Sequence, residues 1–427
     1  MSATAAPARD FPEDFLFGAA TAAYQIEGGI ENDWSAWEGA GKTKTPCGRA
    51  VDHWSRYEED FDLLQAAGLK AYRLSVEWAR IEPEPGRFDD AALGQYRRML
   101  ESLSRRGVKA MVTLHHFTHP RWFHERTPWT GPASVGAFER LARRVAQELR
   151  GLVTWWCTLN EPMVFLLGGF ADARMPPGIK DRRLFADAAA NLLRAHAAAR
   201  RVLAEETPGV PTGIAHNVLA FAPLLRVSPV DRLVARRVHA LYNHAIPKAL
   251  TEGILKLDLP PLLSRTETIE GGRGSLDFLG INYYSRIHVG LKLSPPWVQL
   301  RYLDAKKRGL TDLGWESHPE GLSQVLAQMK AYGLPIYITE NGIADAEGDR
   351  RSWFLYDHLR AVRDARRAGA DVRGWFHWSL MDNFEWLEGL GPRFGLYRVD
   401  FGTLAREATP SVAWLKKVAE TGILGTP

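Results

Sequence analysis

Cysteine is almost absent from the chain. Two residues, Cys47 and Cys157, occur among 427, too few for a disulfide framework. One bridge is the most they allow, and a reducing compartment is the simpler reading. Long apolar runs are missing too: no stretch of about 18 apolar residues exists, so no membrane span is expected. The stretch Met1–Asp10 is small and polar, without the charged-then-apolar order of a leader. A cytoplasmic location is therefore the expectation. Nor is there a charge excess: 54 basic against 50 acidic residues leave +4. Arginine pairs such as Arg143-Arg144, Arg200-Arg201 and Arg366-Arg367 are scattered, with no basic block interleaved with aromatics, which excludes nucleic acid as a partner. Gly28-Gly29 does not extend to G-x-G-x-x-G, so a dinucleotide-binding turn is excluded as well. The histidines His115, His116, His119 and His124 lie close together, but H-E-x-x-H is missing, and no metal or cofactor is expected. No Ser/Gly/Pro linker divides the chain, so residues 1–427 read as a single catalytic domain.

What is present is a repeat of alternation. Short β-branched or aromatic runs occur at Phe15–Ala20, Lys70–Val76, Lys109–Leu114, Val153–Leu159, Thr212–Val218, Phe278–Tyr283, Ile336–Thr339 and Val372–Trp378. Amphipathic stretches fall between them, at Glu58–Ala67, Ala91–Arg106, Phe138–Leu149, Phe185–Glu206, Pro319–Tyr332 and Ser352–Ala368. Gly68, Gly107, Gly333 and Gly369 each stand between a helix and the next strand, where a left-handed residue ends the helix. Strands alternating with helices imply a parallel sheet. Eight repeats fit a closed (β/α)8 TIM barrel, an α/β fold whose chemistry sits at the C-terminal ends of the strands.

Those ends are polar or aromatic in every repeat: Gln25 soon after the first, Arg73 on the second, then His115-His116, Asn160-Glu161, Asn217, Asn282-Tyr283-Tyr284, Glu340-Asn341 and Trp378. The aromatic content is high, with 15 Trp, 12 Tyr and 18 Phe. Core packing accounts for most of these rings, but an indole at a barrel rim also suits a sugar's C–H face.

Two of the ends match. Thr158 to Pro162 and Ile338 to Gly342 each set a Glu beside an Asn directly after a β run. A lone Glu there is a solvated loop carboxylate; two, across one barrel mouth, suit glycoside hydrolysis. That reaction needs two carboxyl groups flanking one bond, one protonated and one ionised. Arg73 is the candidate for holding one of them ionised, and the charge of that one raises the pKa of the other.

At these residues the sequence resembles glycoside hydrolase family 1, the family of many β-glucosidases and β-galactosidases. The resemblance runs over nearly the whole chain. It begins with Phe15 to Gly28, continues through Asp52-His53-Trp54, Tyr72 to Ser75 and Thr158 to Pro162, and resumes at Phe278 to Tyr284 and Ile338 to Gly342. It closes with Trp378 to Trp386 and Arg393 to Leu396. The resemblance implies a retaining β-glycosidase acting from the non-reducing end, with Glu161 as acid/base and Glu340 as nucleophile. It implies Arg73 and Tyr284 as orienters of the nucleophile, and Asn160 on the sugar 2-hydroxyl. Gln25, His116, Glu385 and Trp386 clamp the other hydroxyls, Trp378 is the stacking ring, and Asn282 joins the substrate-binding set. The partners it implies are small β-glycosides or oligosaccharides; β-glucosidase activity is expected first, β-galactosidase and β-fucosidase activity beside it, and a homo-oligomer stays open. The alternatives are a 6-phospho-β-glycosidase, against which Glu385 speaks, and a non-catalytic sugar-binding relative, which would lack one of the two Glu.

Two departures stand out. Where the family usually has Tyr-His-Trp-Asp-Leu-Pro, this chain has His115-His116-Phe117-Thr118-His119-Pro120, which directs the expected difference to the leaving-group side. Their competing role is to brace the loop before Pro120. The stretch Leu250–Ser275 also looks short. Asp382, Asn383 and Glu27 read as structural rather than catalytic.

Overall fold

The computed structural model describes residues 9–292, 294 and 297–427, so most of the polar stretch Met1–Asp10 lies outside the described residues. Each of the eight short runs is a strand: β1 (Leu16–Ala20), β2 (Ala71–Ser75), β3 (Lys109–His115), β4 (Trp155–Asn160), β5 (Thr212–Pro223), β6 (Phe278–Leu291), β7 (Ile336–Asn341) and β8 (Val372–Trp378). Successive strands pair in parallel, and β8 returns to β1 with Leu16 opposite Gly374 and Ala20 opposite Trp378. The sheet is thus a closed barrel with helices between its strands. Strands covered on both faces read as near-continuous apolar runs, and all five residues of β2 are buried.

Side chains alternate between the lumen and the helix layer. On β6, Phe278, Gly280, Asn282 and Tyr284 share the lumen face. Phe278 belongs to an apolar plug inside the barrel with Leu16, Met111, Trp155, Tyr337 and Phe376. The lumen therefore passes from apolar at the bottom to polar at the C-terminal rim within one strand. Gly68, Gly107, Gly333 and Gly369 all have positive φ, as the helix-to-strand turns require.

Several elements were not legible as runs. β5 and β6 continue past the rim to Pro223 and Leu291, and β6 gains an antiparallel neighbour, Val298–Arg301. The apolar runs end earlier because polar residues enter them, and one of these, Arg286, is buried against Glu316 at 2.6 Å. The helix Pro229–His239 covers this extension through Ala235, Val234 and Val238; its arginines narrow the apolar stripe that would betray it. The stretch that looked shortened holds an antiparallel hairpin, Ile254–Leu259 with Leu263–Thr268. Cys47 and Cys157 are both buried and unbridged. Among the described residues no helix is long and apolar enough to cross a membrane.

Gly280 shows how tightly the wall is set. A Cβ there would stand 2.5 Å from Ile214 O and 2.8 Å from Thr339 Cγ2. Overpacking of this kind costs about 1–3 kcal/mol. Gly280→Ala is expected to lose that much in urea unfolding; a change below about 0.5 kcal/mol would contradict this account of the wall.

Candidate active site

Both carboxylates sit where a strand departs from regular pairing. β4 slips against β5 between Cys157 and Asn160, and β7 slips against β6 between Ile338 and Glu340. Such irregularities re-aim side chains at a barrel rim. Glu161 then turns out of β4 with φ +45° and leads into the short helix Pro162–Leu166, where proline takes the first position because no N–H is needed there.

Arg73 joins the strand ends from the lumen. It is fully buried. Its Nη1 donates to Glu340 Oε1 at 2.5 Å, its Nη2 to Asn160 Oδ1 at 2.7 Å and its Nε to Thr113 Oγ1 at 3.1 Å. Tyr284 donates its hydroxyl to the other Glu340 oxygen, Oε2, at 2.7 Å. Glu340 is therefore held on both oxygens, by one cation and one hydroxyl. Glu161 has a different environment. Its Oε1 accepts from Asn282 Nδ2 and from Asn217 Nδ2, each at 2.9 Å. Asn282 Nδ2 also donates to Asn160 Oδ1 at 3.1 Å, so a continuous bonded path runs from Glu340 through Arg73, Asn160 and Asn282 to Glu161.

These surroundings separate the two carboxyls electrically. Burial pushes Glu161 up to about 8, the negative Glu340 adds to it, and the two amides and Arg73 pull back only in part. Burial also raises Glu340, but Arg73 in direct contact and the Tyr284 hydroxyl oppose it. The ionised member of the pair is the one with the cation against it. Glu385 is also pushed up to about 8, by burial first and then by Glu340 and Glu161.

A second set of groups surrounds the same rim. His116 stacks on Trp378 at 5.9 Å and 20°, and on Trp386 at 6.1 Å and 15°. Burial and the neighbouring Arg73 hold its imidazole neutral. His116 Nε2 lies 3.1 Å from Asn160 Nδ2. Gln25, on the helix Ala23–Glu27, donates to Phe384 O at 2.6 Å and to Asn383 Oδ1 at 3.1 Å. Gln25 Oε1, His116 Nδ1 and Glu385 Oε2 are buried with no hydrogen-bond partner among the described residues. Leaving three polar atoms unpaired is costly unless a ligand completes them. Two indoles, one imidazole and these three atoms form a surface suited to a ring that carries hydroxyls at its edge.

All eleven residues singled out from the sequence thus lie at the C-terminal end of the barrel or in the loops just beyond it. Sequence reasoning named Asn217 at the end of its run but gave it no role, and it passed over Thr113, Thr339 and Tyr242. The two threonines stand two residues before a strand's last residue, which is the signal that would have found them; Tyr242 lies in a turn without periodicity. Asn383, taken as a loop brace, also fixes Gln25. Asp382 does brace its loop, accepting from Gly395 N at 2.9 Å. The departures after His116 point inward. Thr118 Oγ1 donates to Glu77 Oε2 at 2.9 Å, His119 N donates to Asp33 Oδ1 at 3.0 Å, and Phe117 packs edge-on to Trp386 at 5.2 Å. All three are buried, which favours bracing over leaving-group contacts.

Comparison with known proteins adds a family. The model of "Glycosyl hydrolase family 1" matches residues 8–423. The curated "Beta-glucosidase A" of Thermotoga maritima is 32% identical, covering 96% of this chain and 98% of its own length. A "Beta-galactosidase" of Pyrococcus woesei is 29% identical over 97% of this chain and 98% of that protein. Among solved structures, a "beta-glycosidase from Pyrococcus horikoshii" superposes with a TM-score of 0.90 at 36% identity, covering 97% of this chain and 96% of the other. The Thermotoga maritima β-glucosidase in complex with deoxynojirimycin superposes with a TM-score of 0.89 at 31% identity, over 98% and 100% of the two chains.

The electrostatic coupling is testable without substrate. In Glu340→Gln the negative neighbour is gone, so the carboxyls of Glu161 and Glu385 are both expected to titrate at lower pH. Carbon NMR of labelled glutamate carboxyls reads this directly. Unmoved titrations would contradict the coupling.

Proposed function

The chain belongs to glycosyl hydrolase family 1, and from that premise we propose a retaining β-glucosidase with Glu340 as nucleophile and Glu161 as acid/base. The observation that carries the reading is the asymmetry of the two carboxyls. Glu340 is gripped by Arg73 and Tyr284, whereas Glu161 meets only amides on the one oxygen. A nucleophile must be ionised and a general acid protonated, at one pH and in one pocket.

In the first step Glu340 attacks the anomeric carbon. The bond to the leaving oxygen breaks as Glu161 passes its proton to that oxygen. In the second step Glu161, now a carboxylate, takes a proton from water as the water oxygen attacks the same carbon and releases Glu340. Two inversions leave the configuration retained. Arg73 and Tyr284 orient the nucleophile and accept its loss of charge when the ester forms.

The sugar itself would complete the orphaned atoms. Its hydroxyls donate to Gln25 Oε1 and Glu385 Oε2 and meet His116 Nδ1, while Trp378 offers its indole face. A 6-phosphate would bring a dianion to a place where burial, Glu340 and Glu161 already disfavour negative charge on Glu385, which supports unphosphorylated substrates. Asn160, beside Arg73, is suited to the 2-hydroxyl, where contacts strengthen as charge develops at the anomeric centre. The names carried by the relatives support glucose first and galactose second. The proposal extends to small β-glycosides as substrates and to the region 1–427 working as one catalytic unit.

The test is a pair of measurements on aryl β-D-glucosides. The alkaline limb of kcat/KM is expected near pH 8, because activity needs Glu161 protonated and is lost as it ionises. Glu161→Ala should keep most of its first step on dinitrophenyl glucoside but lose about 10²–10⁴-fold on alkyl glucosides, the usual worth of general acid catalysis. Azide should accelerate its second step and yield the β-glycosyl azide. Equal loss on both substrates, or a preference for 6-phosphorylated glucosides, would sink the proposal.

A further inference from the structure

The two amides that meet Glu161 are each held at their other end by a hydroxyl. Asn282 Oδ1 accepts from Thr339 Oγ1 at 2.7 Å, and Asn217 Oδ1 accepts from Tyr242 OH at 2.6 Å. With each carbonyl accepting from a hydroxyl, each amide presents its NH2 to Glu161. Both N–H groups converge on Oε1, and no described side chain donates to Oε2. A carboxyl oxygen that accepts two donors has no room for its own proton. The proton of the acid form therefore belongs on Oε2.

We infer that Tyr242 is a positioning residue for the acid/base: its hydroxyl locks the Asn217 amide so that the catalytic proton is confined to Glu161 Oε2. This rests on the proposed role of Glu161 and adds the device that aims its proton. In the first step that proton leaves Oε2 for the glycosidic oxygen as the C–O bond breaks, and the resulting carboxylate keeps both amide donors on Oε1.

The fold holds Tyr242 for this purpose. It lies in a π-helical turn, Ala240–His244, between the helices Pro229–His239 and Ala245–Glu252. Single π turns are frequent beside functional sites because the extra residue redirects side chains. The next residue, Asn243, pins that turn to β5: its Nδ2 donates to Leu219 O at 2.8 Å and its Oδ1 accepts from Leu219 N at 3.1 Å. The Tyr242 ring also packs edge-on to Phe221 at 5.5 Å, so removing the hydroxyl alone leaves the ring seated. The charged or titratable groups around Glu161 are Glu340 from β7, Arg73 from β2, Tyr284 from β6, Glu385 beyond β8 and Tyr242 itself. Tyr242 is bonded directly to an amide that donates to Glu161, whereas Arg73 and Glu340 reach it through Asn160 and then Asn282.

The test compares wild type, Tyr242→Phe, Asn217→Ala and the double variant on dinitrophenyl β-glucoside and on an alkyl β-glucoside. Without the hydroxyl, Asn217 turns and offers its carbonyl to the protonated carboxyl, which favours the neutral form and draws the proton to Oε1. The alkaline limb of kcat/KM is then expected to rise by about half a pH unit or more, as when one hydrogen bond to a charged group is lost. Turnover of the alkyl glucoside should fall about tenfold, part of the worth of the acid, while the dinitrophenyl substrate barely changes and KM stays level. Tyr242→Phe should add nothing to Asn217→Ala. Equal loss on both substrates with an unmoved limb would mean the hydroxyl only stiffens the turn, and would overturn the inference. Glu161→Ala, run alongside, separates the two readings: if it too lacks leaving-group dependence, the acid assignment fails; if it shows that dependence and Tyr242→Phe does not, only the lock fails.

Discussion

A guanidinium with no exposed surface stands in the barrel beneath the catalytic rim, and the rest of the site is arranged around satisfying it. Burying a cation is affordable only with an anion and hydrogen-bond acceptors in contact. Arg73 meets Glu340, Asn160 and Thr113 at once, which takes residues from β7, β4 and β3. Such a contact set exists only if those strands close in register. The pairing of Arg73 with Met111 and of Asn282 with Glu340 provides that register. Arg73 thus couples the closure of the barrel to the charge state of its mouth.

One cation balances one anion. Glu340 takes that balance, and every other carboxyl nearby is left without a cation of its own. Glu161 and Glu385 are accordingly pushed up to about 8. The separation into ionised and neutral carboxyls follows from burying all of them and setting a single arginine in contact with one. The amides around Glu161 offset part of that rise and, by meeting one oxygen, govern where its proton sits. Beneath His116 a further polar layer, with Thr118 on Glu77 and His119 against Asp33, ties the third loop to its neighbours. Where the family usually has Trp-Asp-Leu, Thr118 and His119 make these buried bonds and Phe117 packs on Trp386.

The strands and the main residues of the candidate site were legible because a barrel enforces one rule: where an apolar run stops, the chain has reached the rim. Asn160-Glu161 and Glu340-Asn341 stand at such stops, and so do His116 and Trp378. Where apolarity continued or resumed, the rule gave less. The outer parts of β5 and β6 hide behind the buried pair Arg286–Glu316, and the helix Pro229–His239 behind its arginines. Tyr242 was illegible for another reason: its significance is a bond to Asn217, twenty-five positions away in sequence, and no local pattern marks such a partner. Phe117, Thr118 and His119 could be recognised as departures, but the partners of Thr118 and His119, Glu77 and Asp33, lie far away in sequence.

The central claim is that Glu340 becomes bonded to the sugar. A 2-deoxy-2-fluoro-β-D-glucoside with a dinitrophenyl leaving group tests this most directly. The fluorine slows both steps by disfavouring positive charge at the anomeric carbon, and the good leaving group lets the first step proceed, so the ester accumulates. Intact-protein mass spectrometry should show one added fluoroglucosyl group, and peptide mapping should find it on the segment containing Glu340. A protein that stays unlabelled while turning over ordinary aryl glucosides, or a label on Glu161 or any other residue, would contradict the account.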